Sequence, residues 1–277
     1  MFDLYNDKKN DFDKIINNYF DKLDDFNEIL NYSIEIGKRV RPIILLETFS
    51  MVSDDTDTNI DIAEKFAIAL EFIHNYSLIH DDLPSMDNDK YRRGRETIHY
   101  KYGEDYAILA GDALLNYAFE LIFSVLEKNP SVNLIKAGKY LANASGLDGM
   151  IRGQVSDIKD QIKNSDSLIE MYKNKTCRLL MASTTIPGYI ANLPQEEIND
   201  LEKLGFYIGM AFQIQDDILD YEQDKKISKA TYISYFGKEK AYQDMLEYSN
   251  NALSIIERYK KSKFLNKLIK ELIYRKH

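Results

Sequence analysis

The sequence is poor in cysteine, proline and glycine. Its single cysteine, Cys177, cannot form an internal disulfide, which fits a protein of the reducing cytoplasm, and we expect it to be a small core residue. Only five prolines and 12 glycines interrupt 277 residues, which favours long helices joined by short connections. We find no strand-like alternation of apolar and polar residues and no G-x-G-x-x-G turn.

The sequence also lacks basic runs and long apolar runs. Its formal net charge is −9 and no Lys- and Arg-rich segment occurs, so nucleic acid is not an expected partner. The polar, acidic N-terminus, MFDLYNDKKNDFDK, does not resemble a signal peptide. The longest uncharged stretch, residues 179–195, contains Ser, Thr, Gly, Asn and two prolines, so we expect no membrane span and a cytoplasmic protein.

Apolar residues recur at steps of three and four along most of the chain, as they do on one face of a helix. This periodicity predicts an all-α protein, organised as a single helical domain over residues 1–277. The predicted helices cover 9–31, 37–51, 60–82, 104–127, 131–145, 147–162, 166–192, 195–221, 237–258 and 262–275. Loops are predicted near 52–59, 83–103 and 222–230.

One acidic cluster lies at the end of the third predicted helix. Asp81 and Asp82 end that helix, because Pro84 disfavours helical geometry in the residue before it. Asp87 follows in the loop and can fold back toward Asp81. His74 lies two helical turns before Asp81, on the same face; it is either a ligand contact or an ordinary core histidine.

A second acidic cluster lies at the end of the helix predicted over 195–221. Asp216 and Asp220 are four residues apart and therefore share a helix face. Gln213 lies one turn before Asp216 on nearly the same face. Asp217 lies about 100° around the helix from Asp216.

The mutual repulsion of carboxylates grouped in this way must be compensated by positive charge. Two bare carboxylates ~4 Å apart repel by ~4 kcal/mol at an effective dielectric of about 20. Magnesium takes few protein carboxylates and completes its shell with water and phosphate oxygens. With Arg92 and Arg93 after the first cluster, the pattern predicts a site for a metal-bound diphosphate; the alternative is two solvated helix ends.

These residues resemble the motifs of the trans-isoprenyl diphosphate synthases, the polyprenyl synthetase family, over nearly the whole chain. Residues 81–87, DDLPSMD, resemble the first aspartate-rich motif in its longer form, and residues 216–220, DDILD, resemble the second. Shorter motifs match in the same order along the chain: GKRVRP at 37–42, GDAL at 111–114, GQVSD at 153–157, KT at 175–176, Gln213, and KATY at 229–232.

The resemblance implies an all-α bundle around a deep central cavity, usually a homodimer, with the two aspartate motifs facing each other across its mouth. It implies magnesium as cofactor, about three ions with substrate bound. The implied metal ligands are Asp81, Asp82, Asp87, Asp216 and Asp220. Arg92, Lys175, Thr176, Gln213 and Lys229 would bind the allylic diphosphate, and Lys38, Arg41, His74 and Arg93 would bind isopentenyl diphosphate. Asp81, Asp87, Asp216 and Lys175 would carry catalysis.

The resemblance also implies that bulk near the first motif sets product length. The positions five and four residues before the first aspartate are Tyr76 and Ser77. A large aromatic residue at the earlier position is similar to bacterial farnesyl diphosphate synthases. Tyr76 could instead be a plain core aromatic, and ten- or twenty-carbon products stay open.

The chain departs from the family pattern after Asp220. Roughly ten residues are missing before Asp224, including a G-K pair, although Asp224 and Lys229 keep the family spacing. Either Lys225 or Lys226 replaces the lost lysine, or nothing does. This departure leaves open a non-catalytic subunit of a heteromeric prenyltransferase. A helical terpene cyclase is disfavoured, because such an enzyme needs no isopentenyl diphosphate site.

Overall fold

A computed structural model describes residues 3–21, 24–53, 57–158, 162–222 and 230–273. These residues form helices, connecting loops and one two-stranded hairpin, so the all-α prediction is confirmed. Contacts divide the chain into two compact units, each described here by itself. Unit 1 comprises Met1–Ile43 and Glu64–Ser131, and unit 2 comprises Ile44–Ala63 and Val132–His277. The grouping of all 277 residues into one domain stays a prediction.

Six helices and the hairpin lie wholly or partly in unit 1, and α3 and α4 contribute residues to both units. They are α1 (Asp3–Ile16), α2 (Asp25–Ile34), α3 (Val40–Val52), α4 (Asp57–Asp81), β1 (Tyr91–Arg92), β2 (Arg95–Glu96), α5 (Ile98–Tyr102) and α6 (Glu104–Lys128). The strands are antiparallel, with Tyr91 opposite Glu96. Helix α6 packs on α2 and α5 and buries one row of mainly small and aliphatic residues, among them Ala107, Ala110, Gly111, Leu114 and Ala118.

Unit 2 is built around α10 and α11. Its elements are α7 (Val132–Ser145), α8 (Met150–Ile158), α9 (Ser165–Tyr172), a π-helix (Lys173–Cys177), α10 (Arg178–Ile190), α11 (Gln195–Leu219), α12 (Tyr232–Phe236), α13 (Lys238–Ile256) and α14 (Lys263–Ile273). Helix α10 is buried at every position from Leu179 to Gly188, and it packs against α7 and α11. Helix α13 covers α11.

The helix predicted over 9–31 is in fact two helices, α1 and α2. Between them the Asn31 side chain accepts a hydrogen bond from Phe20 N (3.1 Å) and donates one to Phe20 O (2.7 Å). Asn18 adopts a left-handed conformation (φ 55°), and the Asp24 carboxylate caps α2 by accepting from Asn27 N. Apolar periodicity does not report such contacts between side chain and backbone, and the prediction of one helix over 9–31 was wrong.

Two further regions differ from the predicted elements. The helix predicted over 166–192 is a succession of α9, the π-helix and α10. The loop predicted over 83–103 contains the hairpin and α5, although no strand was expected. Strands of two residues are too short to show alternation of apolar and polar residues.

We expected no membrane span, but helix α6 is long and apolar enough to cross a membrane by length and composition alone. It is 25 residues long, and its most apolar 18-residue window has a mean hydropathy of 1.5, with 39% of that window buried. It therefore passes the test of length and composition, as a core helix of a soluble protein also does. The sequence criterion missed it because Asp112 and Glu120 interrupt its apolar residues.

Candidate active site

In unit 1, the first aspartate motif lies where α4 ends. The helix is anchored by fully buried residues such as Phe66, Leu70 and Ile73. Beyond Asp81 the chain turns back, and Asp87 N donates a hydrogen bond to Asp81 O at 2.9 Å. The predicted return of the loop toward Asp81 is therefore confirmed. The side chain of Asp81 is partly exposed and that of Asp87 is exposed.

Asp82 has a different environment from Asp81. It is only 5% exposed, and its Oδ1 accepts hydrogen bonds from Arg92, at 2.6 Å from Nε and 2.5 Å from Nη2. Burial raises the pKa of the Asp82 carboxyl, while the Arg92 guanidinium opposes that shift. We expected Asp82 among the metal ligands. Its carboxylate accepts both of these hydrogen bonds from Arg92, and a role in metal binding stays a prediction.

Arg39, a residue of the GKRVRP motif for which no role was predicted, organises the segment before α3. Arg39 is 1% exposed and adopts a left-handed conformation (φ 56°). Its guanidinium bonds to Asp13 on α1 and Glu71 on α4, each at 2.8 Å. Because Arg39 is fixed inside the unit, its neighbour Lys38 is held at the surface, and the Tyr5 hydroxyl donates to Lys38 O.

Cationic side chains surround His74 on α4. Arg41 Nη1 lies 3.3 Å from His74 Nε2. Burial, and then the charges of Arg41, Arg93 and Arg92, hold the pKa of His74 well below its usual range. His74 is therefore neutral near pH 7, and its unprotonated Nε2 can accept from Arg41. Four of the residues predicted to bind diphosphate thus lie together: the neutral His74 and the cationic Arg41, Arg92 and Arg93.

The arginines after the first motif are held by the hairpin. Arg93 is left-handed (φ 55°), and its Nη1 donates to Ile36 O at 2.6 Å. Arg95 bonds to Glu35 at 2.7 Å and stacks on the Tyr32 ring at 3.8 Å. This tight turn aims Arg92 and Arg93 in different directions, Arg92 to α4 and Arg93 to the segment before α3.

The predicted chain-length residues lie one helical turn before the first motif. Tyr76 is 6% exposed, and its ring packs edge-on against His80 with 5.8 Å between ring centroids. Burial and the Asp81 charge raise the pKa of the Tyr76 phenol to about 12. The Ser77 hydroxyl donates to His74 O at 2.9 Å. A role in product length stays a prediction for both residues.

In unit 2, the π-helix carries Lys175 and Thr176. Such bulges occur often at functional sites. Gly153 on α8 packs directly on it, because a Cβ on Gly153 would lie 2.3 Å from Lys175 N. Lys175 forms an ion pair with Asp157, also on α8. Asp157 belongs to the GQVSD motif, but sequence reasoning gave it no role.

One row of residues on α11 faces the π-helix and its neighbours. A Cβ on Gly205 would lie 2.4 Å from Met181 Cα, and one on Gly209 would lie 2.9 Å from Cys177 Cα. Gln213 lies one turn after Gly209 and accepts a hydrogen bond from the Thr176 hydroxyl at 2.8 Å. Asp217 lies two turns after Gly209 and accepts one from the Tyr172 hydroxyl at 2.5 Å. The buried Cys177 is a core residue, as predicted.

Asp216 and Asp220 lie beside this row rather than in it. Asp216 is partly exposed, and Asp220 is exposed at the end of α11, where its backbone N donates to Asp216 O at 2.9 Å. Gln213 was placed with Asp216 by helical geometry, yet its amide bonds to Thr176 and Asp217. Lys229 lies outside the described residues, as do Asp224, Lys225 and Lys226.

The described residues contain no group of three or more Asp, Glu, His or Cys side chains arranged to hold a metal ion. Asp81 and Asp87 are brought close in unit 1, and Asp216 and Asp220 are adjacent on α11 in unit 2. Carboxylates that are few and accessible fit magnesium, which retains water and takes substrate phosphate oxygens. They do not fit a metal that needs a closed cage of protein ligands.

Comparisons with known proteins point to one protein family. The family model described as polyprenyl synthetase matches residues 24–269. A farnesyl diphosphate synthase of Micrococcus luteus is 37% identical over 263 residues, 88% of this chain and 88% of that protein. A geranylgeranyl diphosphate synthase of Cyanophora paradoxa is 37% identical over 254 residues, 82% of this chain and 83% of that protein.

A crystal structure of an FPP/GFPP synthase from Zymomonas mobilis superposes with a TM-score of 0.86 at 28% identity. The alignment covers 97% of this chain and 98% of that one. The region matched by the family model thus includes both aspartate motifs and the segments that carry the cations. The chain belongs to the polyprenyl synthetase family.

Proposed function

We propose that this chain condenses isopentenyl diphosphate with dimethylallyl or geranyl diphosphate to give (2E,6E)-farnesyl diphosphate. The observation that carries the proposal is the cationic group of Arg41, Arg92 and Arg93 around a neutral His74, on the helix that ends in Asp81. The Micrococcus luteus relative, named a farnesyl diphosphate synthase, supports the fifteen-carbon product. The Cyanophora paradoxa relative makes a twenty-carbon product the second candidate.

Lys38, Arg41, His74 and Arg93 of unit 1 would bind isopentenyl diphosphate. Lys38 and Arg41 flank the buried Arg39, and His74 orients the Arg41 guanidinium. The chain as a whole carries a charge of −9 and repels anions, so a local cationic group is needed to attract a diphosphate. Arg93 adds a further cation to this group.

The allylic diphosphate would be bound by Lys175, Thr176 and Gln213 of unit 2, with Arg92 and Lys229. The Thr176 hydroxyl and the Gln213 amide already bond to each other, so both are oriented before substrate binds. Asp157 holds the Lys175 ammonium in place as its ion-pair partner. Prior orientation of this kind lowers the reorganisation needed in the transition state.

Asp81, Asp87, Asp216 and Asp220 would hold magnesium, which when bound supplies positive charge to the diphosphate leaving group. Lys175 and Arg92 would stabilise the same developing charge as the allylic carbon–oxygen bond breaks. The double bond of isopentenyl diphosphate then attacks the allylic cation, and the departing diphosphate takes the proton that is lost. Apolar side chains must exclude water, which would otherwise trap the cation.

The test is turnover of Asp81→Ala and Asp216→Ala, measured with labelled isopentenyl diphosphate, geranyl diphosphate and magnesium. We expect both variants to lose at least about 10²-fold in kcat, since each removes charge stabilisation of the transition state. Asp11→Ala and Asp148→Ala, whose side chains are 72% and 87% exposed, serve as matched controls. Circular dichroism must show an unchanged fold.

Near-normal turnover of either site variant under limiting magnesium would contradict the proposal. A wild-type protein without turnover, but able to change the products of a partner prenyltransferase, would point to the non-catalytic subunit instead. Chromatography of the wild-type product separates the fifteen-carbon from the twenty-carbon candidate.

The enzyme is also proposed to be a cytoplasmic homodimer. Helix α6 exposes Tyr106, Ile108, Leu109 and Phe123 to between 40% and 69%. Large exposed apolar residues along one helix are typical of protein–protein contact surfaces. A second copy covering this surface would also explain why α6 resembles a membrane span by composition alone.

A further inference from the structure

Asp217, the middle carboxylate of the second aspartate motif, is separated from its neighbours by its burial. It is 3% exposed, whereas Asp216 is partly exposed and Asp220 is exposed. Asp217 belongs to the row on α11 that continues from Gly209 through Gln213. It therefore faces the interior of unit 2 rather than the surface that carries Asp216.

The Asp217 carboxylate joins two segments that are distant in sequence. Its Oδ2 accepts from the Tyr172 hydroxyl at 2.5 Å and from Tyr232 N at 2.6 Å, and Tyr232 N also lies 3.2 Å from the Tyr172 hydroxyl. Its Oδ1 lies 3.4 Å from Gln213 Nε2. Tyr172 ends α9 and Tyr232 begins α12, so one carboxylate ties both elements to α11.

Both anchored elements border residues with proposed roles in binding diphosphate. Tyr172 directly precedes the π-helix that carries Lys175 and Thr176. Tyr232 follows Lys229 by three residues in the sequence. Helix α12 is further fixed by a capping box between Thr231 and Ser234.

A metal ion on Asp217 would compete with these bonds. To ligate an ion through Oδ2, the carboxylate would give up the hydrogen bond from the Tyr172 hydroxyl or from Tyr232 N. Tyr232 is 4% exposed, and a buried N–H without an acceptor is unfavourable. The environment of Asp217 therefore differs from that of a magnesium ligand, which needs open coordination positions for water and phosphate.

We infer that Asp217 is a positioning residue. It fixes the start of α12 and the end of α9 against α11. The diphosphate-binding segments next to these two elements thereby keep their positions relative to Asp216. The inference rests on the proposed function for its consequence in catalysis. The anchoring itself is independent of that function, and the experiment separates the two.

The first measurement is hydrogen–deuterium exchange of the substrate-free protein, read in peptides covering residues 230–236. Asp217→Asn keeps the size of the side chain but removes one acceptor and adds a donor. We expect exchange in these peptides to rise about tenfold, as the loss of a hydrogen bond to a charged acceptor predicts. Glu222→Gln, which removes an exposed charge five residues later in the sequence, is the matched control and should leave exchange unchanged.

The second measurement is steady-state kinetics of Asp217→Asn and of Tyr172→Phe, which keeps the ring and removes only the hydroxyl. We expect both to raise KM for geranyl diphosphate or lower kcat severalfold while the magnesium concentration for half-maximal rate stays within twofold. Asp216→Asn should instead shift the magnesium requirement. Tyr172→Phe also tests the anchor by exchange if Asp217→Asn does not fold.

Unchanged exchange at residues 230–236 in both Asp217→Asn and Tyr172→Phe would overturn the inference. So would a shift in the magnesium requirement of Asp217→Asn as large as that of Asp216→Asn, since a metal ligand would then be indicated. If the wild-type protein has no prenyltransferase activity, the proposed function fails, and the exchange experiment still decides whether Asp217 anchors α12.

Discussion

At the residue scale, the two aspartate pairs share one asymmetry. The first member of each pair, Asp81 or Asp216, is partly exposed, and the second, Asp82 or Asp217, is buried at 5% or 3% exposure. Each buried carboxylate accepts hydrogen bonds from elsewhere in its own unit, Asp82 from Arg92 and Asp217 from Tyr172 and Tyr232. Adjacent helical residues point about 100° apart, so one can face ligand while the next faces the core.

His74 gives a prediction for the pH dependence of stability. Its pKa in the folded protein lies below the usual value of about 6.5, so the unfolded state binds more protons as pH falls below that value. Stability is therefore lost on acidification, by at most about 2 kcal/mol at pH 5 from this residue. His74→Gln keeps an acceptor for Arg41 and should show a smaller fall in unfolding free energy between pH 7.5 and pH 5.

Urea unfolding of both proteins at the two pH values measures this difference. Because the carboxylates titrate in both proteins, only the difference between their pH slopes reports on His74. Equal slopes for the wild type and His74→Gln would show that the histidine is not held neutral by its surroundings.

Tyr76 gives a prediction for product length. Tyr76→Ala removes a buried ring one turn before Asp81, and we expect longer products by chromatography. Loss of a buried aromatic side chain costs about 3–5 kcal/mol, so the assay must run well below the melting temperature of the variant. Tyr76→Phe keeps the bulk and should keep the wild-type product, whereas an unchanged product from Tyr76→Ala would exclude this ring as the determinant.

How far the sequence predicts these residues depends on the kind of contact. The return of Asp87 toward Asp81 was predictable, because Pro84 acts locally on the backbone. The burial of Arg39 was not, since its partners Asp13 and Glu71 are distant in sequence and a basic residue before a helix is usually solvated. Long-range ion pairs leave no periodic signal in the chain.

At the scale of elements, α11 shows what a finer sequence reading could have found. Gly205, Gly209, Gln213 and Asp217 recur every four residues, and this row faces Met181, Cys177, Thr176 and Tyr172 in reverse order. Two glycines at this spacing indicate close helix packing. Of the polar residues that continue the row, Gln213 is half-buried and Asp217 is buried. The predicted pairing of Gln213 with Asp216 overlooked this row.

Gly153 provides the matching prediction for α8. Gly153→Ala would place a Cβ 2.3 Å from Lys175 N and 2.6 Å from Lys175 Cα, which are backbone atoms of the π-helix. The helices must separate, at a cost of about 1–3 kcal/mol, and the ion pair of Lys175 with Asp157 must shift. We expect a lower melting temperature and a raised KM for the allylic substrate.

Gly188→Ala is the control, because its Cβ would approach only the side chains of Leu201 and Ile198 within 3.1 Å. These flexible side chains can yield, so a smaller loss of stability and an unchanged KM are expected. A Gly153→Ala protein with wild-type stability and kinetics would mean that α8 does not constrain the π-helix.

At the scale of the whole molecule, the exposed face of α6 predicts the oligomeric state. Leu109→Glu places a charge in an apolar surface that is 54% exposed at this position. We expect the variant to sediment as a monomer in analytical ultracentrifugation where the wild type is a dimer, because burying an unpaired charge in an interface is unfavourable. Leu4→Glu, at 51% exposure on α1, is the control that should remain dimeric. A dimeric Leu109→Glu would place the contact elsewhere.

The buried Arg39 has a practical consequence for protein engineering. The matched family region starts at residue 24, after α1, yet α1 supplies Asp13 to the Arg39 guanidinium and Tyr5 to the carbonyl of Lys38. A version trimmed to the family boundary would leave a guanidinium in the interior with Glu71 as its one remaining carboxylate among the contacts described. Such trimming would therefore destabilise the cationic segment by removing its contacts with α1, although none of the deleted residues carries a family motif.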